Sequence, residues 1–441
     1  MTQLLKYWQL VRSGFWFIPG LMTGGAAALA FGMVAVDRAK SDEWLDALGF
    51  AYTGGAEGAS TVLGTIAGSM ITIAGVVFSM TLVALSLASS QLGPRLLRNF
   101  MRDTTNQVVL GTFVATFLYC LLVLRTIRRP EENVFVPHLA VTLGVLLAVA
   151  SVGVLIYFIH HISLSIQADH IVARVGKEPI GGIDGIFPEH LDPVATSEAT
   201  APRDSGLPAD FDREARPIRA ARDGYVQSID IGRLQKLATT EDLVFRVERG
   251  PGTYVVEDRP LVHIWPAVRV TSRLADRVNA AFVIGSSRTP GQDIAFAVDQ
   301  LVEIAVRALS PGVNDPFTAV RCVDRLGSAL SRIAQREMRS TYHYDEHNRL
   351  RVFNPVVSFS DVLDTAFNQI RQNGAANAAV TIRLLDTLAV VASFAERPDD
   401  LEGLRRHADM IARGAREGLP EEEDRRIANQ RYAAVRALLD P

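Results

Sequence analysis

The sequence predicts a membrane α-helical protein of four transmembrane helices, joined to an α+β region in which a small β barrel-sandwich-like module precedes a helical C-terminal domain. Three observations carry this. No charge interrupts Ser60 to Gln91, a stretch of roughly 45 Å at about 1.5 Å per residue, against a hydrocarbon thickness of about 30 Å. The 441 residues are 48% hydrophobic, with a mean hydropathy of +0.16, too apolar and too long for one ordinary soluble domain. Beyond residue 217 the unbroken apolar runs give way first to a period of two and then to one of about 3.6.

The first span, about residues 15–36, follows Lys6 and Arg12 and has the look of a secretory signal. Because further spans follow, it reads as an uncleaved helix. The next segment leans acidic, with Asp37, Asp42, Glu43, Asp46 and Glu57 against Arg38 and Lys40, and suits the outer side. The second span, about residues 60–90, organises the chain. Along it Thr61, Thr65, Gly68, Thr72, Gly75, Ser79, Ser86 and Ser90 recur every three or four residues, which gathers them on one helical face. Two readings of that stripe stand side by side. Gly64 and Gly68 form a small-xxx-small pair that lets helices pack closely. Alternatively, hydroxyls from several subunits replace the hydration of a permeating ion or polar solute, making Thr65, Gly68, Thr72, Gly75, Ser79 and Ser86 pore-lining. No ionisable group lies in the span, which argues against a proton relay.

Arg95, Arg98 and Arg102 form a basic collar after the second span, suited to the cytoplasm and able to attract anions or contact anionic lipid. The third span runs over about residues 108–124 and the fourth over about 139–160, which closes a membrane domain at 178. Counting basic residues at the span ends places both termini inside. His160, His161, Asp169 and His170 invite a metal reading. Adjacent helical histidines point about 100° apart, so headgroup-facing histidines at a helix end are the better account and no metal is assigned.

Residues 179–216, rich in Pro, Asp, Gly, Ser and Ala, read as a linker. Residues 217–266 hold short alternating runs broken by Gly-Pro-Gly and Asp-Arg-Pro: strands and tight turns, with a short helix near Arg233 to Leu237. Their order resembles the biotinyl and lipoyl barrel-sandwich folds, but no lysine stands at a hairpin tip and no cofactor is carried over. Residues 267–441 read as amphipathic helices, at Ser272–Ala281, Asp293–Leu309, Asp361–Asn373, Ala375–Glu396, Leu401–Glu417 and Glu421–Leu439. Within them, Pro311 and Gly312 stop one helix, Asp315 is the N-cap of the next, and Pro316 takes its first position. Held between two prolines, Asn314 and Asp315 also form a candidate interface or ligand loop with Pro311 and Gly312. Thr341 to Phe353 reads as a β-hairpin whose His343, Glu346 and His347 are mostly solvated, and not as a zinc site, since HExxH is absent.

No phosphate loop, nucleophile elbow or convergent carboxylate pair appears, so no enzyme activity is expected. A net charge of −3 gives no footprint for nucleic acid. Cys120 and Cys322 read as small hydrophobes, not as a disulfide or zinc pair.

At QLGPR (Gln91 to Arg95), SSRTPGQD (Ser286 to Asp293) and LVEIAVRALSPGVNDPFTA (Leu301 to Ala319), the chain resembles a bacterial family of predicted membrane proteins catalogued as domain of unknown function 2254. The resemblance covers nearly the whole chain. It implies an integral inner-membrane protein with four spans and a cytoplasmic tail, and it transfers no chemical role to Ser310, Pro311, Gly312, Asn314, Asp315 or Pro316. The expectation is a homo-oligomeric ion channel or pore lined by the second span and gated by its cytoplasmic domain. Its partners are then copies of itself, membrane lipid and inorganic ions. The alternative is a non-conducting, membrane-anchored scaffold or sensor with a cytoplasmic interaction domain.

Overall fold

The computed structural model describes residues 16–39, 52, 54–92, 104–128, 135–165, 172–173, 175–176, 183, 206–338 and 340–440. The chain divides into two compact units, residues 1–170 and 171–441.

The first unit consists of α1 (Phe17–Ala39), α2 (Ala56–Leu92), α3 (Thr104–Leu124) and α4 (His138–Ser165), each long and apolar enough to cross a membrane. α3 is the hub: 56% of its most apolar stretch is buried against 17–28% in the others, so the other three present most of their surface outward. α2 packs through one row, Ala59, Leu63, Ala67, Met70, Ala74, Val77, Thr81 and Ala84, repeating every three or four residues. Small residues permit the closest approaches. A Cβ on Gly111 of α3 would lie 2.6 Å from Met22 Sδ and 3.2 Å from Pro19 Cα on α1, and one on Gly144 of α4 would lie 3.0 Å from Leu63 Cδ2.

Polar groups at one end of this unit satisfy each other. Asp37, which the sequence places among outward charges, accepts from the backbone amides of Leu139 (3.1 Å) and Ala140 (3.0 Å) at the start of α4. A carboxylate there meets amides with no partner inside the helix and the positive end of its dipole. His138 Nδ1–H donates to the Tyr52 carbonyl (2.6 Å), and the Tyr52 amide donates to Thr142 Oγ1 (2.9 Å).

In the second unit a one-turn helix (Phe211–Glu214) leads into β1 (Arg216–Arg219), β2 (Gly224–Ile229), α5 (Ile231–Thr240), β3 (Val244–Val247), β4 (Tyr254–Val255), β5 (Pro260–Trp265), α6 (Ser272–Asn279) and β6 (Phe282–Gly285). α7 (Ile294–Ala308), α8 (Pro316–Ala334), β7 (Tyr342–Tyr344), β8 (Leu350–Phe353), α9 (Phe359–Gly374), α10 (Ala378–Ala392), α11 (Pro398–Gly418) and α12 (Glu422–Leu439) follow. The strands form a five-stranded sheet in the order β1-β5-β3-β8-β7 and a three-stranded sheet in the order β4-β2-β6. Val226, Phe245, Val262, Ile264, Ile284 and Val352 from both sheets share one core with Leu234 of α5 and Val278 of α6.

Among the described residues the strands form two open sheets and no closed barrel, a mixed α/β region ahead of the helical part. Nor does the β structure end at Pro266: β6 pairs antiparallel with β2, and β8 pairs parallel with β3. The hairpin of β7 and β8 is therefore built into the sheet, and its turn departs from the solvated picture. Asp345, with a side chain only 3% exposed, accepts from the backbone amides of His347 and Arg349 and from Arg351 Nε (2.7 Å). Glu346 and His347 remain exposed.

The helical part follows its caps. Asp293, Asp315 and Asn377 each accept from the amide three residues on, at the starts of α7, α8 and α10. Ser358 and Asp361 form a reciprocal capping box on α9.

Candidate functional site

At 100° per residue, the small and hydroxylated stripe of α2 lies diametrically opposite the row that packs on the other helices. Thr61, Thr65, Gly68, Thr72, Gly75, Ser79 and Ser86 are all exposed, and a Cβ built on Gly64, Gly68 or Gly75 meets nothing within 4 Å. Among the described residues, the small-xxx-small pair therefore packs no neighbouring helix. Ile71, Val76, Phe78 and Met80 flank the stripe and are exposed as well, a composition suited to lipid.

The threonine hydroxyls are half used. Thr61, Thr65 and Thr72 donate to the carbonyls of Glu57 (2.9 Å), Thr61 (2.8 Å) and Gly68 (2.8 Å), one turn back. With the proton bound to the backbone, each oxygen turns acceptor lone pairs outward, which suits a cation or a water molecule. One residue in line with the stripe was not assigned to it from the sequence. Glu57, exposed in the first turn of α2, stands one turn before Thr61 on the same face and is the acidic residue of that turn. The signal was its four-residue offset from Thr61. The collar residues Arg95, Arg98 and Arg102 lie outside the described residues.

The signature loop in the second unit is a rigid turn. The Asp315 amide donates to the Ala308 carbonyl (2.8 Å), while its carboxylate accepts from the Thr318 amide (3.1 Å) and hydroxyl (2.5 Å). Asn314 takes φ +48°, the left-handed region that Asn enters more readily than most residues. Pro311, Gly312, Val313 and Asn314 are exposed, and Phe317, the second residue of α8, is 73% exposed. The other signature stretch is structural. Arg288 forks onto Asp293 (2.7 and 2.9 Å) and reaches Asp299 (2.6 Å), while Gln292 brackets the backbone of Ile229 in β2.

Other titratable groups are placed apart. His160 is exposed, His161 stacks on Tyr157, and Asp169 and His170 lie outside the described residues. Among the described residues no three His, Cys, Asp or Glu side chains gather as metal ligands would. A cleft of about 1350 Å³ lies where the C-terminal end of α8 meets the starts of α9 and α11. Arg397 closes one wall, donating to the carbonyls of Arg336 (2.6 Å) and Ile333 (3.2 Å). Beside it, burial raises the carboxyl pKa of Asp400 against the pull of the same guanidinium. Sequence reasoning missed His407, fully buried on α11, whose Nε2 lies 2.7 Å from Asp364 of α9. Burial lowers its pKa, with Asp364 opposing.

No solved structure matches this chain. The uncharacterized proteins Rv1290c of Mycobacterium tuberculosis and Mb1321c of Mycobacterium bovis are each 33% identical over 426 residues, covering 94% of this chain and 78% of the relative. The family model for predicted membrane proteins of domain of unknown function 2254 matches residues 12–390. With four helices fit to cross a bilayer and a match that spans both units, the chain belongs to the DUF2254 family of predicted membrane proteins.

Proposed function

We propose that the protein is a homo-oligomeric channel of the bacterial inner membrane, in which the stripe of α2 from several copies lines a conduction path for inorganic cations. One observation carries the reading: the wettable face of α2 is turned away from its own bundle, where single copies would leave it against lipid. Polar and small faces in a bilayer are used for helix association or for water-filled paths. The outward lone pairs of Thr61, Thr65 and Thr72 support a cation, and the Glu57 carboxylates would ring the mouth beyond the neutral stretch. In this reading both termini are cytoplasmic, Glu57 opens on the outer side, and Arg95, Arg98 and Arg102 hold anionic headgroups on the inner side.

Flux from liposomes reconstituted with purified protein tests it. Cation efflux above that of protein-free liposomes is expected, with Thr72→Leu or Ser79→Leu choking it while assembly persists. A second reading, a non-conducting scaffold or sensor, draws on the same back-bonded threonines, because a hydroxyl paired within its own helix also tolerates dry packing between copies. Assembly without flux at any pH, calcium level or osmotic stress would favour that reading.

A further inference from the structure

We infer that the cleft between the C-terminal end of α8 and the starts of α9 and α11 is a binding site for a small organic cation, an ammonium or guanidinium group carried on an apolar body. The cleft holds about 1350 Å³ and lies wholly within the second unit. Its edge is tightly closed: a Cβ on Gly403 of α11 would lie 2.7 Å from Ser360 Oγ of α9, and both residues line the cleft. A concave site already formed, with a few polar groups in its walls, suits a small molecule.

Charge selects the ligand. Three arginines and five carboxylates line the cleft. The arginines are engaged: Arg406 with Asp364 (2.8 Å), Arg397 with the carbonyls of Arg336 and Ile333, and Arg336 with a partner of its own. Glu396 and Glu402 are exposed and form no ion pair among the described residues. The helix dipole accounts for Asp399 and Asp400 in the first turn of α11, but Glu396 and Glu402 fall before and after that turn. They leave the cleft with negative charge that nothing in the chain balances, which favours a cation over a phosphate or a carboxylate.

An unfilled acceptor stands in the same wall. Asp400 is only 5% exposed, and its Oδ2 accepts no hydrogen bond. Arg397 Nη2 comes within 2.6 Å of it but off the direction of its N–H bonds, one of which goes to the Ile333 carbonyl (3.2 Å). A buried carboxylate oxygen without a donor is costly, and a ligand that brings N–H groups would satisfy it. A bare metal ion does not fit, because among the described residues no three ligands gather. Phe394, 42% exposed at the end of α10, lines the cleft with Met338 and Val356, so the ligand's cation meets an aromatic face and its body an apolar one.

Isothermal titration calorimetry of the full-length protein in detergent tests this at constant ionic strength, with agmatine, spermidine and phenethylamine as probes and sodium chloride as the control. Saturable binding of at least one amine, absent with sodium, is expected. The double variant Glu396→Gln, Glu402→Gln should bind that amine several-fold more weakly. Both side chains are exposed and unpaired, so its melting temperature should match that of the unsubstituted protein. No saturable binding of any of the three amines would overturn the proposal. Equal affinity in the double variant would overturn it too, by moving the cation to another carboxylate such as Glu57 of α2.

Discussion

Asp315 shows what a single residue contributes and why its role could be read in advance. Its cap depends on the residue three positions on, so the local pattern Asp-Pro before an apolar period was enough. Asp315→Ala should cost about 1 kcal/mol of stability, and Asp315→Asn, which keeps an acceptor, clearly less. Thermal unfolding of the full-length protein checks the order of the two variants. His407 is the contrary case, since its partner Asp364 sits on another helix and no local spacing announces the pair. Its folded pKa lies below the ordinary value, because burial disfavours the imidazolium. The unfolded chain therefore takes up a proton that the folded one refuses as pH falls through about 6.5, and stability declines until the lower folded pKa is reached. His407→Gln should flatten the fall in melting temperature between about pH 7 and about pH 5.5; an unchanged slope would place the sensitivity elsewhere.

At the scale of elements, hydrophobic period located the four long helices and most of the soluble ones, with ends displaced by a few residues where caps and not apolar spacing decide. It could not locate pairing. The parallel register of Phe245 with Val352 and of Arg246 with Phe353 joins distant strands, and no turn residue marks it, so a β module ending at Pro266 was expected where the sheets reach on to β6 and β8. Likewise, periodicity placed the α2 stripe on one face without saying which way the face turns. That orientation separates two substitutions of one kind. Gly144→Leu drives a side chain into Leu63, Cys120 and Tyr119, and should cost about 1–3 kcal/mol or more through overpacking. Gly68→Leu meets no described residue of its own chain, so it should fold and melt as the unsubstituted protein does. Thermal unfolding in detergent distinguishes the two, and a fall in melting temperature for Gly68→Leu like that of Gly144→Leu would contradict the outward orientation of the stripe.

For the whole molecule, composition and the long uncharged span established a membrane protein, whereas the grouping of residues into two units came from packing. If the stripe lines a path headed by Glu57, then Glu57→Gln should lower the preference for cations over anions while leaving total flux largely intact, as reversal potentials across asymmetric salt would record. The most direct measurement of the central claim is the conductance of Thr72→Cys protein in a planar bilayer, before and after a water-soluble thiol reagent. Conductance that falls when the reagent is added is the predicted result. Conductance that the reagent leaves untouched, or none above the bare bilayer, would contradict it.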